Sequence, residues 1–581
     1  MPQVDQNNPE EEPATASDAA AWAIRFRERT GRAPRILHVG NIANNAYINA
    51  KLLNEAGLDC DVICYGYYHI MGCPEWEDAD FSRNYGDQFK PDWEAAGVKN
   101  FIRPRWFAQG PMEYCIEYLI AKREGRLREA ERFWLKLGIL NQSYSNTNPT
   151  DKKKIYRRWT WFQHKAARIK RGLAYVSTAN GVASRIAGSC DAGLIATKTK
   201  SEIARLFVTW CLISAALIIR MACLPFRHFL IAQRNQIYSF DNKVAELIDK
   251  YAELFPSRPD PLTPIDLESY RLKVPQWHRL FEFYDLVQAY ATDPVLPLLS
   301  GHPYIAFEHG TIRNIPYEDS TQGRLCALSY RLSDWTVVTN ADNMNSARRI
   351  GIQNYTFVPH PVNEDGIRDA NFDTSLRKEL LSKLNATYLV FHPARQHWSE
   401  KRHPDWEKGN DIFLRGFARF VHEVEKRAAV VLVEWGASVE DSRALIERLG
   451  ITDHVIWVPP MPHRRMVEYI RACDLVADQF FLGAFGSTLP KALACGRVSM
   501  LYLDPEIHRE CFHEMPPVLS AKTSDEVFLQ LSFAHGNKKE IEEIQEQGKQ
   551  WYQRYHSNKA IADKLMSIYS CILDKSPELS D

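Results

Sequence analysis

From Arg35 onward the chain alternates between two hydrophobic patterns. Short apolar runs bounded by Gly, Asn or Pro read as buried strands, and longer stretches with apolar residues every three to four positions read as amphipathic helices. "RILHV" predicts a strand, "GNIANNAY" a loop, "INAKLLNEAG" a helix closing at Gly57, and "CDVICYG" the next strand. That order is a βαβ unit, which implies a parallel sheet with helices on both faces. The pattern returns in "FYDLVQAYAT", "PYIAFEHGT", "SDWTVVTN" and "YTFVPHP". A second unit follows in "TYLVFHPARQHW", "GNDIFLRGFARFVHEV", "AAVVLVEWG", "SRALIERLG", "HVIWVPP", "PHRRMVEYIRAC", "DLVADQF" and "RVSMLYLD". Much of 75–280 resists this reading, and a helical stretch spans about Glu540 to Leu573.

The predicted class is therefore α/β, with two tandem Rossmann-like domains facing a cleft between them. A chain of 581 residues is too long for one core, which agrees. The predicted organisation is a disordered tail over 1–33, a first domain over 34–361 with an insert at about 110–235, a second domain over 362–540, and a helix and tail over 541–581. The N-terminal stretch "MPQVDQNNPEEEPATASDAA" is acidic and polar, with no secretory signal pattern. Twelve cysteines without CxxC pairs suit reduced thiols in a cytoplasmic protein, and no metal site is expected.

Formal net charge is zero, but it hides an asymmetry. Residues 150–235 hold sixteen Lys and Arg against three acids, a net of +13. Basic residues there interleave with Trp159, Trp161 and Phe162, and an uncharged run follows from Leu206 to Ile219. That run is short of the ~20 residues that span a bilayer. Two readings stay open: a helix lying in an anionic membrane surface, on the inner face, or a buried helix beside a solvated basic face. Interfacial tryptophans beside a long apolar run favour the membrane over nucleic acid, which is not expected as a partner.

In open α/β sheets ligands bind at the carboxyl ends of the strands. Residues at such ends are Gly40, Asn41, Asp293, Glu308, His309, Asn340 and His360. Glu308 and His309 are neighbours, and strand neighbours point to opposite faces, so only one of them is expected to face the cleft. Asn340 and Asp342 either line the cleft or cap a helix, with capping favoured. Neither domain's first turn has the G-x-G-x-x-G of dinucleotide dehydrogenases. Residues 481–496, "FLGAFGSTLPKALACG", run from a glycine-containing turn into a helix, a form suited to an anion.

In order, "VPHPVNED", "FHPARQHW…KGNDIFLRGF", "PHRRMVEYIRACDLVADQF" and "GAFGSTLPKALACG" resemble the B-fold glycosyltransferases of the family 4-like, nucleotide-sugar-dependent group. The likeness covers roughly 285–510, with a looser match at 35–65. It implies transfer of a sugar from a nucleotide donor, held by the second domain, to an acceptor held mainly by the first, with retention of configuration and no cofactor. Arg395 and Lys408 match the family's basic pair, which stabilises the departing diphosphate together with the backbone of Gly483, Ala484, Phe485, Gly486 and Ser487. His309, with Glu308 beside it, matches the cleft histidine near the reacting centre. Asp478 ends the strand before the turn and accepts either donor hydroxyls or loop amides. Glu434, ahead of Trp435 and Gly436, falls at the glycine loop under the nucleotide.

One departure stands out. Where the family carries a pair of glutamates, this chain has Gly483 and Lys491. Lysine only donates hydrogen bonds. Three readings stay open: Lys491 adds charge for a phosphate, it is turned away, or the donor site is degenerate and the protein is a scaffold or regulatory subunit. The favoured acceptor is membrane-proximal, lipid-linked or a polysaccharide.

Overall fold

The computed structural model describes residues 16–81, 84–98, 101–141, 240–365, 367, 374–399 and 407–574. The basic and apolar stretch at 150–235, and the membrane association expected of it, lie outside these residues.

In the first domain the strands are β1 (Arg35–Val39), β2 (Asp59–Tyr65), a small hairpin of β3 (Gly86–Asp87) and β4 (Lys90–Pro91), β5 (Phe107–Gly110), β6 (Leu286–Tyr290), β7 (Tyr304–Phe307), β8 (Trp335–Val338) and β9 (Tyr355–Phe357). Apart from the hairpin they form one parallel sheet, ordered β5-β2-β1-β6-β7-β8-β9. The second domain carries β10 (Tyr388–His392), β11 (Ala428–Val433), β12 (Val455–Val458), β13 (Leu475–Ala477), β14 (Val498–Leu501) and β15 (Leu519–Ser520), in the order β12-β11-β10-β13-β14-β15. These are two doubly wound Rossmann-like sheets. The strands read as continuous apolar runs because helices cover both faces, and every residue of β11 is buried. Strand order reverses between β1 and β6, and again between β10 and β13, so the loops diverge there and leave a crevice in each domain.

The N-terminal region departs from expectation. Residues Ala16–Thr30 form a helix rather than part of a disordered tail. Ala19, Trp22 and Phe26, at helical spacing, are buried, in a run that follows directly on an acidic, polar stretch. The expected single C-terminal helix is two, Lys538–Tyr555 and Asn558–Leu573, broken where the Ser557 side chain accepts from the Ala560 amide. Asn558–Leu573 returns to the first domain. There Ile561, Leu565 and Tyr569 pack with Trp22, Leu53 and Val62, and Tyr569 donates a 2.8 Å hydrogen bond to Gln288 on β6. In the stretch that resists reading, β5 and the helices Met112–Arg123 and Leu127–Leu140 extend the first sheet's edge.

Candidate functional site

The second domain's crevice is built from loops tied to one another. After β10 the chain turns at Arg395–Gln396. The Gln396 amide donates to the Trp435 carbonyl at 2.7 Å, and the Ser438 amide donates to the Gln396 carbonyl at 2.8 Å. Gly436 makes this possible: its φ is +122°, and a Cβ there would meet Gln396 backbone atoms at 2.5–2.9 Å. Arg395 is thereby presented on the surface, its guanidinium 5.5 Å from the Trp435 ring centroid. It ion-pairs with no carboxylate among the described residues, and desolvation pulls its pKa down. Trp435 in turn meets Trp76 of the first domain at 6.2 Å, sealing one side of the cleft.

Lys408 precedes Gly409, whose φ of +65° starts the helix Asn410–Glu423. The ammonium donates to the Gln479 side-chain oxygen at 2.7 Å, and the Gln479 amide nitrogen donates to the Ala484 carbonyl, tying Lys408 to the turn that follows β13. Asp478 beside it is buried, with no hydrogen-bond partner for Oδ2 among the described residues. Burial pushes its pKa up to about 6, against the pull of Lys408.

In the turn itself, Gly483 has φ +77°, and a Cβ would stand 2.9 Å from the Tyr502 ring and 3.0 Å from Asp504 Cβ. The glycine is therefore a backbone requirement, and a glutamate there would need the turn to move. Phe485 stacks on His508, with ring centroids 5.3 Å apart. It lies against Phe512, Trp551 and His556, so it anchors the turn. Gly486 and Ser487 stay exposed, and the turn faces Thr339, Asn340 and His360 at the first domain's strand ends across a small cavity.

Lys491, on the seven-residue helix Thr488–Ala494, is buried. Desolvation lowers its pKa, and the charge of Glu77 acts in the opposite sense. Glu77 belongs to the first domain, on the helix Pro74–Asp78, and burial raises its own pKa. His463 lies nearby with Nδ1 3.9 Å from Glu77 Oε2. The lysine thus sits at the interface between domains, where the charge of a first-domain carboxylate acts on it.

The first domain's crevice differs in kind. Gly40, at φ +89°, ends β1, and a Cβ there would stand 2.6 Å from Asp293 Oδ2. Asp293 follows β6 after Ala291, a non-glycine residue at φ +53°; such strain concentrates at functional sites. Tyr65, ending β2, donates to Asp293 Oδ1 at 2.5 Å. Burial pushes the carboxyl up to about 7, the Tyr65 hydroxyl drawing it back. His309 is half-buried, 2.8 Å from the Asn45 amide nitrogen through Nδ1 and 4.8 Å from the His360 ring. Burial pushes its pKa down to about 4, helped by Arg313. A neutral imidazole accepting at Nδ1 carries its proton on Nε2, and so offers a donor rather than a base.

Other predicted residues lie elsewhere. Glu308 is wholly buried and accepts from the Thr339 amide at 3.2 Å, Asn340 at 3.2 Å and Asn343 at 2.6 Å. It clamps the end of β8 and does not reach the cleft, because it takes the inward position of the neighbour pair. Asn340, spent on this clamp, makes no side-chain cap, and Asp342 pairs with Arg313 at 2.7 Å. Asn41 is buried and knits its own loop, donating to Asn44 at 3.0 Å and to the Gly72 carbonyl at 2.9 Å. Glu434 is exposed and paired with Arg443 at 2.6 Å, outside the cleft. Glu77, His463, Gln479 and Tyr65 escape the sequence reading. Glu77 falls where no strand pattern guides the eye, whereas Gln479 and Tyr65 do end predicted strands.

No protein-family model matches the chain. Curated proteins similar to it include the D-inositol 3-phosphate glycosyltransferase of Nocardia farcinica, 36% identical over 95 residues, which is 15% of this chain and 21% of that protein. That of Xylanimonas cellulosilytica is 29% identical over 151 residues, 25% of this chain and 32% of that protein. The chain thus matches about a fifth to a third of the length of these relatives. Among solved structures, HepE of Anabaena in complex with UDP is 16% identical, covering 52% of this chain and 84% of that one, with a TM-score of 0.43. Sucrose-phosphate synthase from Thermosynechococcus elongatus is 15% identical, covering 55% and 82%, with a TM-score of 0.40.

Proposed function

We propose that this protein is a glycosyltransferase that moves a sugar from a nucleotide-sugar to a hydroxyl of an acceptor. The carrying observation is the pair of facing crevices, of which the second presents Arg395, with no carboxylate partner among the described residues, beside Lys408 and the exposed turn at Gly486–Ser487. A departing nucleoside diphosphate develops negative charge, and preorganised cations and amides stabilise it without reorganisation at the moment of reaction. Arg395 receives a diphosphate oxygen, Lys408 faces the same group, and His309 offers its Nε2 proton to a donor hydroxyl. Closure of the cleft excludes water. A membrane-proximal or glycan acceptor rests on the basic, tryptophan-bearing sequence of 150–235, and retention of configuration and a cytoplasmic location rest on the sequence alone.

Calorimetry with UDP, GDP and ADP tests the donor site. Arg395→Ala is expected to weaken the matching diphosphate by about 10- to 100-fold and the nucleoside hardly at all. Lack of binding by all three diphosphates would sink the enzyme reading. It would favour a non-catalytic scaffold, the reading that Gly483 and Lys491 in place of glutamates support.

A further inference from the structure

One aromatic residue of the first domain reaches the donor crevice of the second. The helix Pro74–Asp78 belongs to the first domain and is rooted there at both ends. Near its start, Glu75 accepts from Arg103 Nε at 2.7 Å and from Nη2 at 2.9 Å. At its end, Asp78 accepts from Lys51 at 2.9 Å and from the Tyr47 hydroxyl. The two residues between them meet the second domain. Glu77 stands 3.9 Å from His463, and the Trp76 ring meets the Trp435 ring at 6.2 Å, inclined by 66°.

Trp435 is packed from both sides of the domain boundary. It lies against the second-domain cluster that holds Val433 and Tyr469, and against the first-domain cluster that holds Trp76, Phe81 and Trp93. Arg395 depends on this tryptophan by two routes. The amide of Gln396, next in the chain, donates to the Trp435 carbonyl at 2.7 Å, and the guanidinium lies 5.5 Å from the Trp435 ring centroid. With no carboxylate partner among the described residues, a long and rotamer-rich side chain is limited by that ring. The first domain feels the result: desolvation lowers the pKa of His69, after β2, and the charge of Arg395 acts in the same sense.

We infer that Trp76 is a positioning residue for the donor diphosphate: it holds the Trp435 ring, and through that ring the Arg395 guanidinium, so that the first domain completes the second domain's crevice. The inference rests on the glycosyltransferase reading above. Trp76 takes no part in bond making; its effect is on where the cation stands before the diphosphate arrives. Donor affinity then reports on domain docking. A second domain parted from the first keeps Lys408 and the 483–488 turn, and loses the fixed position of Arg395.

Calorimetry on the full-length protein tests this, with whichever of UDP, GDP and ADP the wild type binds and with its nucleoside. Trp76→Ala is expected to weaken the diphosphate by about 3- to 10-fold and to leave nucleoside affinity unchanged. Trp76→Phe keeps a ring against Trp435 and is expected to stay within about twofold of the parent. Trp76 is buried, so Trp76→Leu, which keeps apolar volume without a ring, stands in if the alanine variant does not fold, and the same loss is expected of it. The deciding measurement is a double-mutant cycle. In an Arg395→Ala background, replacing Trp76 is expected to cost no further diphosphate affinity, whereas a merely structural tryptophan would cost as much there as in the parent. Undiminished diphosphate affinity in the alanine or leucine variant, an equal loss for the nucleoside, or the same loss in the Arg395→Ala background overturns the inference. A wild-type protein that binds none of the diphosphates, or an Arg395→Ala variant that binds as the parent does, is a different result: it strikes the donor site itself, and the role of Trp76 falls with it.

Discussion

Two crevices occupy the same topological position in this molecule and differ in chemistry. At the reversal between β1 and β6 the side chains are a carboxyl, phenols and a neutral imidazole; at the reversal between β10 and β13 a guanidinium and an ammonium stand beside the buried carboxyl of Asp478. The strands on either side are alike, parallel and buried on both faces. What separates the two sites is the loops. One is drawn in by Gly40 and Ala291 until Asp293 is desolvated, and the other is braced by Gly436 and Gln479 until Arg395 and Lys408 are held in place. A doubly wound sheet thus fixes where a ligand sits and leaves its charge to a few loop residues.

The strongest way to break this division of labour lies where the two domains meet. Lys491→Glu would set a second buried carboxylate opposite Glu77 and remove the larger of the two lysine charges that offset it, leaving Lys51 alone. It is expected to cost about 3–5 kcal/mol, read as a fall in the midpoint of urea unfolding. The exchange Glu77→Lys with Lys491→Glu should recover much of that loss. If the single variant is as stable as the parent, Glu77 and Lys491 are not coupled.

Next in size, Gly436→Ala attacks the brace behind Arg395. A methyl group against Gln396 backbone, at a φ unfavourable to any L side chain, is expected to cost about 2–4 kcal/mol. It should also weaken UDP binding as Arg395→Ala does. Undiminished UDP affinity would mean that Arg395 does not depend on this turn.

The smallest effect concerns Asp478 and has the opposite sign. Its pKa rises from 3.8 to about 6 on folding, so the folded state favours the neutral acid. The stability this gives is full below the unfolded pKa of 3.8 and is lost as pH rises through about 6. Asp478→Asn keeps the group neutral and should stabilise by about 1–2 kcal/mol at pH 8, with no gain below pH 4, as read from Tm at the two pH values. An equal gain at both would trace the effect to packing.

The sequence made the sheets legible because both are parallel and their strands stand out as unbroken apolar runs. The missed elements break that rule for physical reasons. The helix Ala16–Thr30 buries a narrow stripe that follows directly on an acidic stretch, and β5 is a four-residue edge strand, "FAQG", with a glutamine at its centre. In the site, Arg395, Lys408 and the 483–488 turn could be read from local order. Glu308 could not, since which of two neighbours faces inward depends on where β7 ends. Lys491 stood out because a glutamate was expected there, and Glu77, whose charge acts on it, lies on the other domain, where no local pattern joins residues so far apart in sequence.

The return of Asn558–Leu573 to the first domain bears on the order in which the molecule can be finished. A chain emerging from the ribosome completes the strands of the first sheet long before this helix exists, yet Leu53, Val62 and Leu286 belong to a core that includes Ile561, Leu565 and Tyr569. Until synthesis passes residue 573, that apolar face is open and Gln288 on β6 lacks the Tyr569 hydroxyl. The first domain made is therefore the last to be sealed, and a nascent chain carries an exposed hydrophobic seam through all the time spent building the second.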